Sequence, residues 1–228
     1  MPASIQAAAY ADTEILFDWH KVEGFKGGAI DGIKVIVRGT DGAAQTMVGI
    51  DLLFATSEIP TPSDGTNVSV NVAPTTLGTT GAAVDTPGWF NNLVGYVPVA
   101  AGDFNDADLI YLNIANVNLA GEEIPVSGDL YVAAIAKGAL DFRTTVRVNE
   151  TGFAAGAQTV ITLDSKVASP VFAPGDVIHA VDDAVLGTIK TVDSDTQITL
   201  TKANVDAIAD SDILYNVSPI QLILSGTV

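Results

Sequence analysis

Short runs of apolar residues, several of them alternating with polar ones, follow each other along most of the chain, and turns rich in Gly, Pro, Asp and Asn separate them. Alternation with a period of two predicts half-buried β-strands, and short apolar runs between turn signals predict buried strands. The pattern therefore predicts a β-rich unit over the first part of the chain. Its predicted strands are 13–19, 33–38, 46–55, 67–72, 109–119 and 129–137.

Turn residues predict how some of these strands are connected. Asp41-Gly42 lies between strands 33–38 and 46–55, and Asp-Gly between two β-rich runs is a strong hairpin signal. We therefore expect these two strands to pair. Segment 89–96 (WFNNLVGY) follows a Pro-Gly pair, and we expect it to form one helical turn or a packed loop.

The sequence pattern changes after Lys137, where the apolar runs become shorter and the turn residues more closely spaced. Segment 202–209 (KANVDAIA) places Val205, Ile208 and Ala209 at helical spacing and is predicted as a short helix. The predicted strands of this part are 143–148, 158–163, 176–181, 186–192, 196–200, 212–217 and, after a proline, 220–224.

Two phrases in this part nearly repeat, AQTVITLD at 157–164 and DTQITLTK at 195–202. A repeat this short is attributed to a shared way of turning into a strand rather than to duplication.

Together these patterns predict an all-β protein built of two units. An N-terminal β-sandwich is expected over 1–140, and a second, small β-barrel-like module over 141–217. The final segment, 219–228, completes either unit; if it returns to the sandwich, the module is an insertion. Small isolated β-modules are marginally stable, so we expect the module to pack on the larger unit or on a neighbouring subunit.

Charge and composition exclude several classes of function. The net charge is −17, which argues against a nucleic-acid partner and against docking on an anionic membrane, because both need a basic face. The chain has no cysteine, so disulfides and thiolate chemistry are excluded. The N-terminal residues carry no Lys or Arg before Lys21, and no apolar run approaches the ~20 residues that span a bilayer, so we expect neither a signal peptide nor a membrane span.

Candidate catalytic chemistry is sparse. The two histidines, His20 and His179, lack partners at metal-ligand or triad spacing and are interpreted as structural. Acidic pairs could serve a glycosidase, but each lies beside Gly, Ser or Ala in a predicted turn, where Asp caps backbone amides. These pairs are Glu122-Glu123, Asp182-Asp183, Asp193 with Asp195, and Asp210 with Asp212.

The segment from Asp103 to Asp108 could hold calcium, yet it lacks the glycine and distal glutamate of an EF-hand and is interpreted as a strand-entry turn. We assign no catalytic, cofactor-binding or metal-binding residue, and expect no enzyme activity.

Aromatic residues suggest a binding surface instead. Trp89, Phe90 and Tyr96 lie in a loop-like segment, where they either pack in the core or anchor a contact between subunits. The Ala-rich stretch around Ile5 and Tyr10 is too apolar for a free tail, and we interpret it as an arm that orders on a neighbouring subunit. These five residues form the predicted partner interface.

The stretch from Val171 to Tyr215 resembles the small β-modules of structural proteins in tailed bacteriophages. The resemblance rests on a G-D-x-I turn and strand, a T-x-I-T-L-T strand and an I-x-D-x-D-x-I/L-Y ending, and it covers about a third of the chain. The matching positions are Gly175, Asp176, Ile178, Thr196, Ile198 to Thr201, Ile208, Asp210, Asp212 and Tyr215.

This resemblance implies a virion component that is assembled in the host cytoplasm and lies on the capsid surface: a capsid decoration (cement) protein. Its implied partners are the major capsid protein and further copies of itself in a homotrimer. The acidic chain predicts that the docking patch on the capsid is neutral or basic. The alternatives are another phage part, such as a tail, neck or head-fibre subunit, and a carbohydrate-binding module.

Overall fold

The strands of this computed structural model are almost all antiparallel and account for most of the described chain. The structure describes residues 2–3, 9–12, 14–25, 27–39, 44–56, 92–105, 112–142, 144, 146–164, 171–180 and 185–227. The strands are β1 Pro2–Ala3, β2 Ala9–Tyr10, β3 Ile15–Lys21, β4 Gly28–Arg38, β5 Ile50–Ala55, β6 Leu93–Val99, β7 Phe104–Asn105, β8 Leu112–Asn118, β9 Ile124–Val126, β10 Tyr131–Ala136, β11 Leu140–Asp141, β12 Val160–Thr162, β13 Val177–Ala180, β14 Val185–Ser194, β15 Gln197–Leu200, β16 Leu214–Asn216 and β17 Ile220–Thr227.

Two antiparallel sheets form the larger unit. One has the order β1-β17-β4-β8-β7, with β9 also pairing with β4, and the other has the order β3-β10-β5-β6. Their inner faces share one buried cluster, in which Phe17 and Phe54 from one sheet and Val35 and Leu222 from the other are fully buried. Each such side chain contributes about 1.5–3 kcal/mol of burial free energy. The predicted β-sandwich is therefore present.

The two sheets approach each other closely at one glycine. A Cβ atom on Gly95 of β6 would lie 2.8 Å from Cγ1 of Ile124 of β9, well inside van der Waals contact. A larger side chain here would push the sheets apart, so this position, which lies beside a shift of register between β5 and β6, requires the absence of a Cβ.

The predicted hairpin between 33–38 and 46–55 is wrong, because the two strands belong to different sheets. β4 pairs with β17, β8 and β9, whereas β5 pairs with β10 and β6. The connection crosses from one sheet to the other and is held by Gln45, whose side-chain amide donates to the Asp141 carbonyl at 2.6 Å and whose carbonyl accepts from Asn113. Residues 40–43, which include the Asp-Gly pair, lie outside the described residues.

The expected helical turn or loop at 89–96 is also corrected where the structure describes it. From Leu93 onward the chain forms β6, which pairs with β5 from Ala55 opposite Leu93 to Ile50 opposite Val99. Residues 89–91, and the predicted strand 67–72, lie outside the described residues.

The smaller unit is a closed β-barrel with a core of its own. Its five-stranded sheet has the order β12-β15-β14-β13-β16, and the segment around Arg147 and Val148 bridges its two edges. On one side Asp164 N donates to Arg147 O at 2.9 Å, and on the other Val148 N donates to Asp212 O at 2.9 Å. The barrel-like prediction is therefore confirmed.

The two near-repeated phrases lie side by side in this barrel. β12 pairs with β15 so that Ile161 lies opposite Ile198, and both side chains are fully buried. The similarity therefore coincides with a pair of neighbouring antiparallel strands that contribute equivalent isoleucines to one core.

The short helix predicted over 202–209 is wrong. The segment is irregular, and Ile208 forms a β-bridge with Phe153 instead. Its backbone bonds go to distant segments: Asn204 N donates to Gln158 O and Val205 N donates to Leu186 O, both at 2.8 Å. Because these amides are used by neighbouring strands, no helical ladder can form.

The last strand shows which of the two units the segment 219–228 completes. β17 pairs with β4 from Ile220 opposite Val37 to Thr227 opposite Ala29. The barrel therefore lies, along the chain, between strands of the sandwich. Its buried cluster, which runs from Val146 to Leu214, shares no residue with the cluster of the sandwich.

Candidate partner-binding surface

The structure describes two of the five predicted interface residues, one exposed and one buried. Tyr96 lies on β6 with its side chain in solvent, and the residue is 54% exposed. Tyr10 is buried in the sandwich core, edge-on to Phe142 with ring centroids 6.1 Å apart. Its side chain packs within the chain, which corrects its assignment to an exposed interface. Ile5, Trp89 and Phe90 lie outside the described residues.

Tyr96 belongs to a polar cluster on the outer face of the second sheet. Asp51 lies on the neighbouring strand β5, opposite Pro98, which places it diagonal to Tyr96. The Asp51 carboxylate interacts with the Tyr96 hydroxyl across the two strands, and Lys137 Nζ lies 3.5 Å from Asp51 Oδ2. The Asp51 side chain is only 10% exposed, whereas that of Lys137 is 46% exposed. A nearly buried carboxylate thus fixes an exposed tyrosine and an exposed lysine from beneath.

This arrangement changes the acidity of the tyrosine. Partial burial, and then the hydrogen bond and the negative charge of Asp51, raise the pKa of Tyr96 above its ordinary value. Since the folded-state pKa is raised, the associated stabilisation is complete below the ordinary tyrosine pKa of about 10 and is lost as the pH rises through the folded-state value.

Replacing Asp51 with Asn is expected to lower the pKa of Tyr96, because the charge that disfavours the phenolate is removed. The value should stay above that of an unperturbed tyrosine, since burial persists. Titration of the Tyr96 Cζ resonance by NMR, assigned with the Tyr96→Phe variant, measures it. A Tyr96 titration curve that does not move in Asp51→Asn would contradict the contact.

Three open grooves lie on the described surface. The first, of about 460 Å³, is polar and is lined by Asp31, Asn116, Asn118, Glu123 and Ser225 on the outer face of the first sheet. Glu123 accepts a hydrogen bond from Gly121 N at 3.0 Å, and such backbone bonds lower its pKa. Glu123 is therefore used in a local turn, whereas Asp31 accepts a hydrogen bond from the Ser225 hydroxyl of β17 at 3.2 Å.

The second groove, of about 450 Å³, separates β17 from the turn that follows β3. Phe25, Leu222 and Leu224 give it apolar walls, and Lys21 lies at its rim. Lys21 forms an exposed ion pair with Asp129 at 2.9 Å, which raises the pKa of Lys21.

The third groove, of about 380 Å³, lies where the barrel meets the sandwich. Ile36, Arg38 and Leu112 line it from the sandwich, and Asp176 and Val177 line it from the barrel. Arg38 donates a charge-assisted hydrogen bond to Asp176 across the junction. The same carboxylate oxygen accepts from Ala173 N at 2.7 Å, so one atom both closes a turn and holds the two units together.

Each of the two histidines packs against an aromatic ring. His20 lies edge-on to Phe17 with ring centroids 5.6 Å apart, and His179 on β13 lies 5.6 Å from Tyr215 on β16. Both therefore contribute aromatic packing within a sheet.

Most described residues of the acidic pairs lie in or beside turns, as predicted, but Asp193 lies near the end of strand β14, which corrects its assignment to a turn. Asp193 accepts from the Thr199 hydroxyl, which lowers its pKa, and Asp212 accepts from Ala209 N at 2.7 Å. Asp103 accepts from Ala100 N at 2.8 Å and so closes the turn before β7. Asp182 and Asp183 lie outside the described residues. So do Asp106 and Asp108, two of the residues considered for a calcium site.

Two further observations concern the described part of the chain only. It contains no group of three or more His, Cys, Asp or Glu side chains placed to hold a metal ion. None of its helical segments is long and apolar enough to cross a bilayer. Comparison with protein-family models, with curated proteins and with solved structures gave no match.

Sequence reasoning missed the partners of Tyr96 and the junction pair. Asp51 carried a signal, because it is a lone acid within the apolar run 50–55. Arg38 and Asp176 carried none, since they lie 138 residues apart and pair only because β17 returns to β4.

Proposed function

We propose that this chain is a structural protein of tailed-bacteriophage virions that binds the outer surface of the capsid and stabilises contacts between capsomers. Its partners in this proposal are the major capsid protein and further copies of itself, with a homotrimer as the predicted assembly.

The observation that carries the proposal is the presence of two separate cores in one short chain. The sandwich and the barrel each bury their own apolar cluster, and the chain crosses between them near 142–146 and again near 217–220. Two separately folded bodies offer two docking faces, which suits a protein that gains affinity by bridging neighbouring subunits rather than by enclosing one ligand.

The residues of the phage resemblance belong to the frame of the barrel. Gly175 adopts a φ of 96° in a turn, and Asp176 accepts the amide that closes this turn. Ile178 and Ile198 are fully buried core residues, and Tyr215 is 1% exposed. The resemblance therefore concerns the way the barrel folds, and it supports a shared module rather than a shared binding site.

Tyr96 is the predicted contact residue that the structure leaves exposed. An aromatic side chain held by a nearly buried carboxylate loses little conformational freedom on docking, and such residues often dominate interface energetics. We therefore place the outer face around Tyr96, Asp51 and Lys137 among the docking faces of the proposal.

The test is to add the purified protein to capsids assembled without it from the major capsid protein of the same genome, and to image them by cryo-electron microscopy. Ordered additional density on the outer shell is expected. Tyr96→Ala should lower the occupancy at least about tenfold at subsaturating protein, as expected for loss of a contact of about 1.4 kcal/mol or more.

Val205→Ala is the matched control, because Val205 is 66% exposed on the barrel and lies outside the Tyr96 cluster. Density confined to the neck or tail would favour the alternative phage component. Absence of ordered density on any part of the particle would overturn the proposal.

A further inference from the structure

Half of the last strand forms an open edge of the first sheet. Among the residues that the structure describes, β17 pairs with β4 over its whole length but with β1 only at Ile220 and Gln221. The five residues 223–227 follow this short pairing and are called the β17 edge below.

Backbone groups of this edge point away from the sheet. Arg38 N donates to Pro219 O at 2.8 Å, and Ile220 lies opposite Val37, so the odd-numbered residues of β17 bond to β4. By this alternation the N–H and C=O groups of Leu224 and Gly226 face outward, available to another strand.

The β17 edge lacks the charges and prolines that often prevent pairing between sheets, although its register against β4 shifts between Ser225 and Gly226. The sequence from 220 to 227, IQLILSGT, contains no charged residue and no proline, although the chain has 27 acidic residues. Ile223 is apolar and 46% exposed. Natural sheets protect long edges with charges, prolines or cover, so an unprotected edge indicates a pairing site.

The edge is complementary to itself. If two copies pair antiparallel about a two-fold axis at Ser225, Ile223 lies opposite Thr227 and Leu224 lies opposite Gly226. The first is a β-branched pair on the outer face, and the second places the leucine of one copy beside the glycine of the other, where the Phe25 ring already packs. Because each chain has a net charge of −17, a contact made of uncharged residues avoids bringing acidic side chains of the two copies together.

The surroundings leave room for an added strand. The groove of about 450 Å³ lies beside Leu222, Ile223 and Leu224, between this part of the strand and the turn that contains Glu23, whereas the Phe25 ring packs against Gly226. We propose that β17 is a self-association site, at which a second copy of this chain adds its own β17 edge in antiparallel register to make one continuous sheet.

A five-residue contact is smaller than a standard protein interface, so association should be weak, with a Kd of about 10–1000 μM. The homotrimer of the proposed function concerns the chain bound to a capsid, so sedimentation-equilibrium measurements on the free full chain should show a monomer–dimer equilibrium. Ile223→Lys is expected to raise the dimer Kd at least about tenfold, because edge lysines oppose strand addition.

Gln221→Lys is the matched control. It adds the same charge on the same strand, also at an exposed position, but where β1 already covers the edge, so the dimer Kd should change less than about twofold.

A mixing experiment tests the register. Thr227→Glu should weaken dimerisation when alone, whereas an equimolar mixture of Ile223→Lys and Thr227→Glu should dimerise again, since the introduced lysine of one copy then faces the introduced glutamate of the other. Circular dichroism and Tm establish that each variant is folded. A wild-type chain that is monomeric up to about 1 mM, at the weak limit of the expected Kd, a trimer insensitive to Ile223→Lys, or a mixture without recovery would each overturn the proposal.

Discussion

Replacing Asn204 with Ala is expected to lower the free energy of unfolding of the barrel by about 2–4 kcal/mol. The side chain is 1% exposed and makes three hydrogen bonds: its Nδ2 donates to Ala154 O at 2.9 Å and to Asp206 O at 2.7 Å, and its Oδ1 accepts from Gln158 N at 2.9 Å. Alanine would remove three hydrogen bonds to backbone groups of exposed residues, and each such bond contributes about 0.5–1.5 kcal/mol, with incomplete additivity.

The measurement can separate the two units. Both tryptophans, Trp19 and Trp89, lie outside the barrel segment, so their fluorescence reports on the rest of the chain. Hydrogen exchange of amides between 146 and 217 reports on the barrel. Asn204→Ala should raise exchange there with a small effect on the tryptophan transition. Val205→Ala, one residue further and exposed, should cost less than about 0.5 kcal/mol.

An equal shift of both signals in Asn204→Ala would mean that the two cores unfold as one cooperative unit. No shift in either would mean that Asn204 does not hold the segment that replaces the predicted helix.

Removing the junction ion pair is expected to uncouple the barrel from the sandwich. The Arg38 and Asp176 side chains are 27% and 12% exposed, so the pair is largely shielded from solvent and should couple by about 1–2 kcal/mol. A double-mutant cycle with Arg38→Gln, Asp176→Asn and both substitutions measures this energy. Asp176→Asn keeps an oxygen for the amide of Ala173, which limits the change to the charge pair.

Loss of the pair should also be visible in the structure. Small-angle scattering should show a broader distribution of distances, and amides near Val177 and Pro219 should exchange faster. The exposed pair Lys21–Asp129, at 42% and 59% side-chain exposure, provides the control, and Lys21→Gln should cost less than about 0.5 kcal/mol. A coupling energy near zero for Arg38 and Asp176 would show that other contacts fix the barrel.

Local patterns predicted most of the described strands but not their partners. The alternation at 109–119 marked β8, yet its buried face carries Asn113 and Ala115 rather than Leu112 and Ile114. Asn113 can be buried because its amide donates to the carbonyl of Gln45, which lies on the connection between the two sheets. Such a partner is distant in sequence, and no periodicity in β8 could indicate it.

Two of the wrong secondary-structure predictions, the hairpin at 33–55 and the helix at 202–209, have the same cause. A turn signal at Asp41-Gly42 fixes a local change of direction, but the sheet that the chain then enters depends on which inner face the apolar strand β5 can cover. Helical spacing at Val205 and Ile208 competes with hydrogen bonds from neighbouring strands, and those bonds determine the conformation.

The sequence by itself determined that this protein is all-β, that it has a large and a small part, and that most of its described acidic pair residues lie in or beside turns, because period-two hydrophobicity and turn residues act over a few neighbours. Only the tertiary structure decided the sheet order, the closure of the barrel, its insertion before β17, the burial of Tyr10 and the pairing of Arg38 with Asp176. Those features depend on contacts between distant segments, whose stability comes from joint burial and mutual hydrogen bonding that no single stretch of sequence contains.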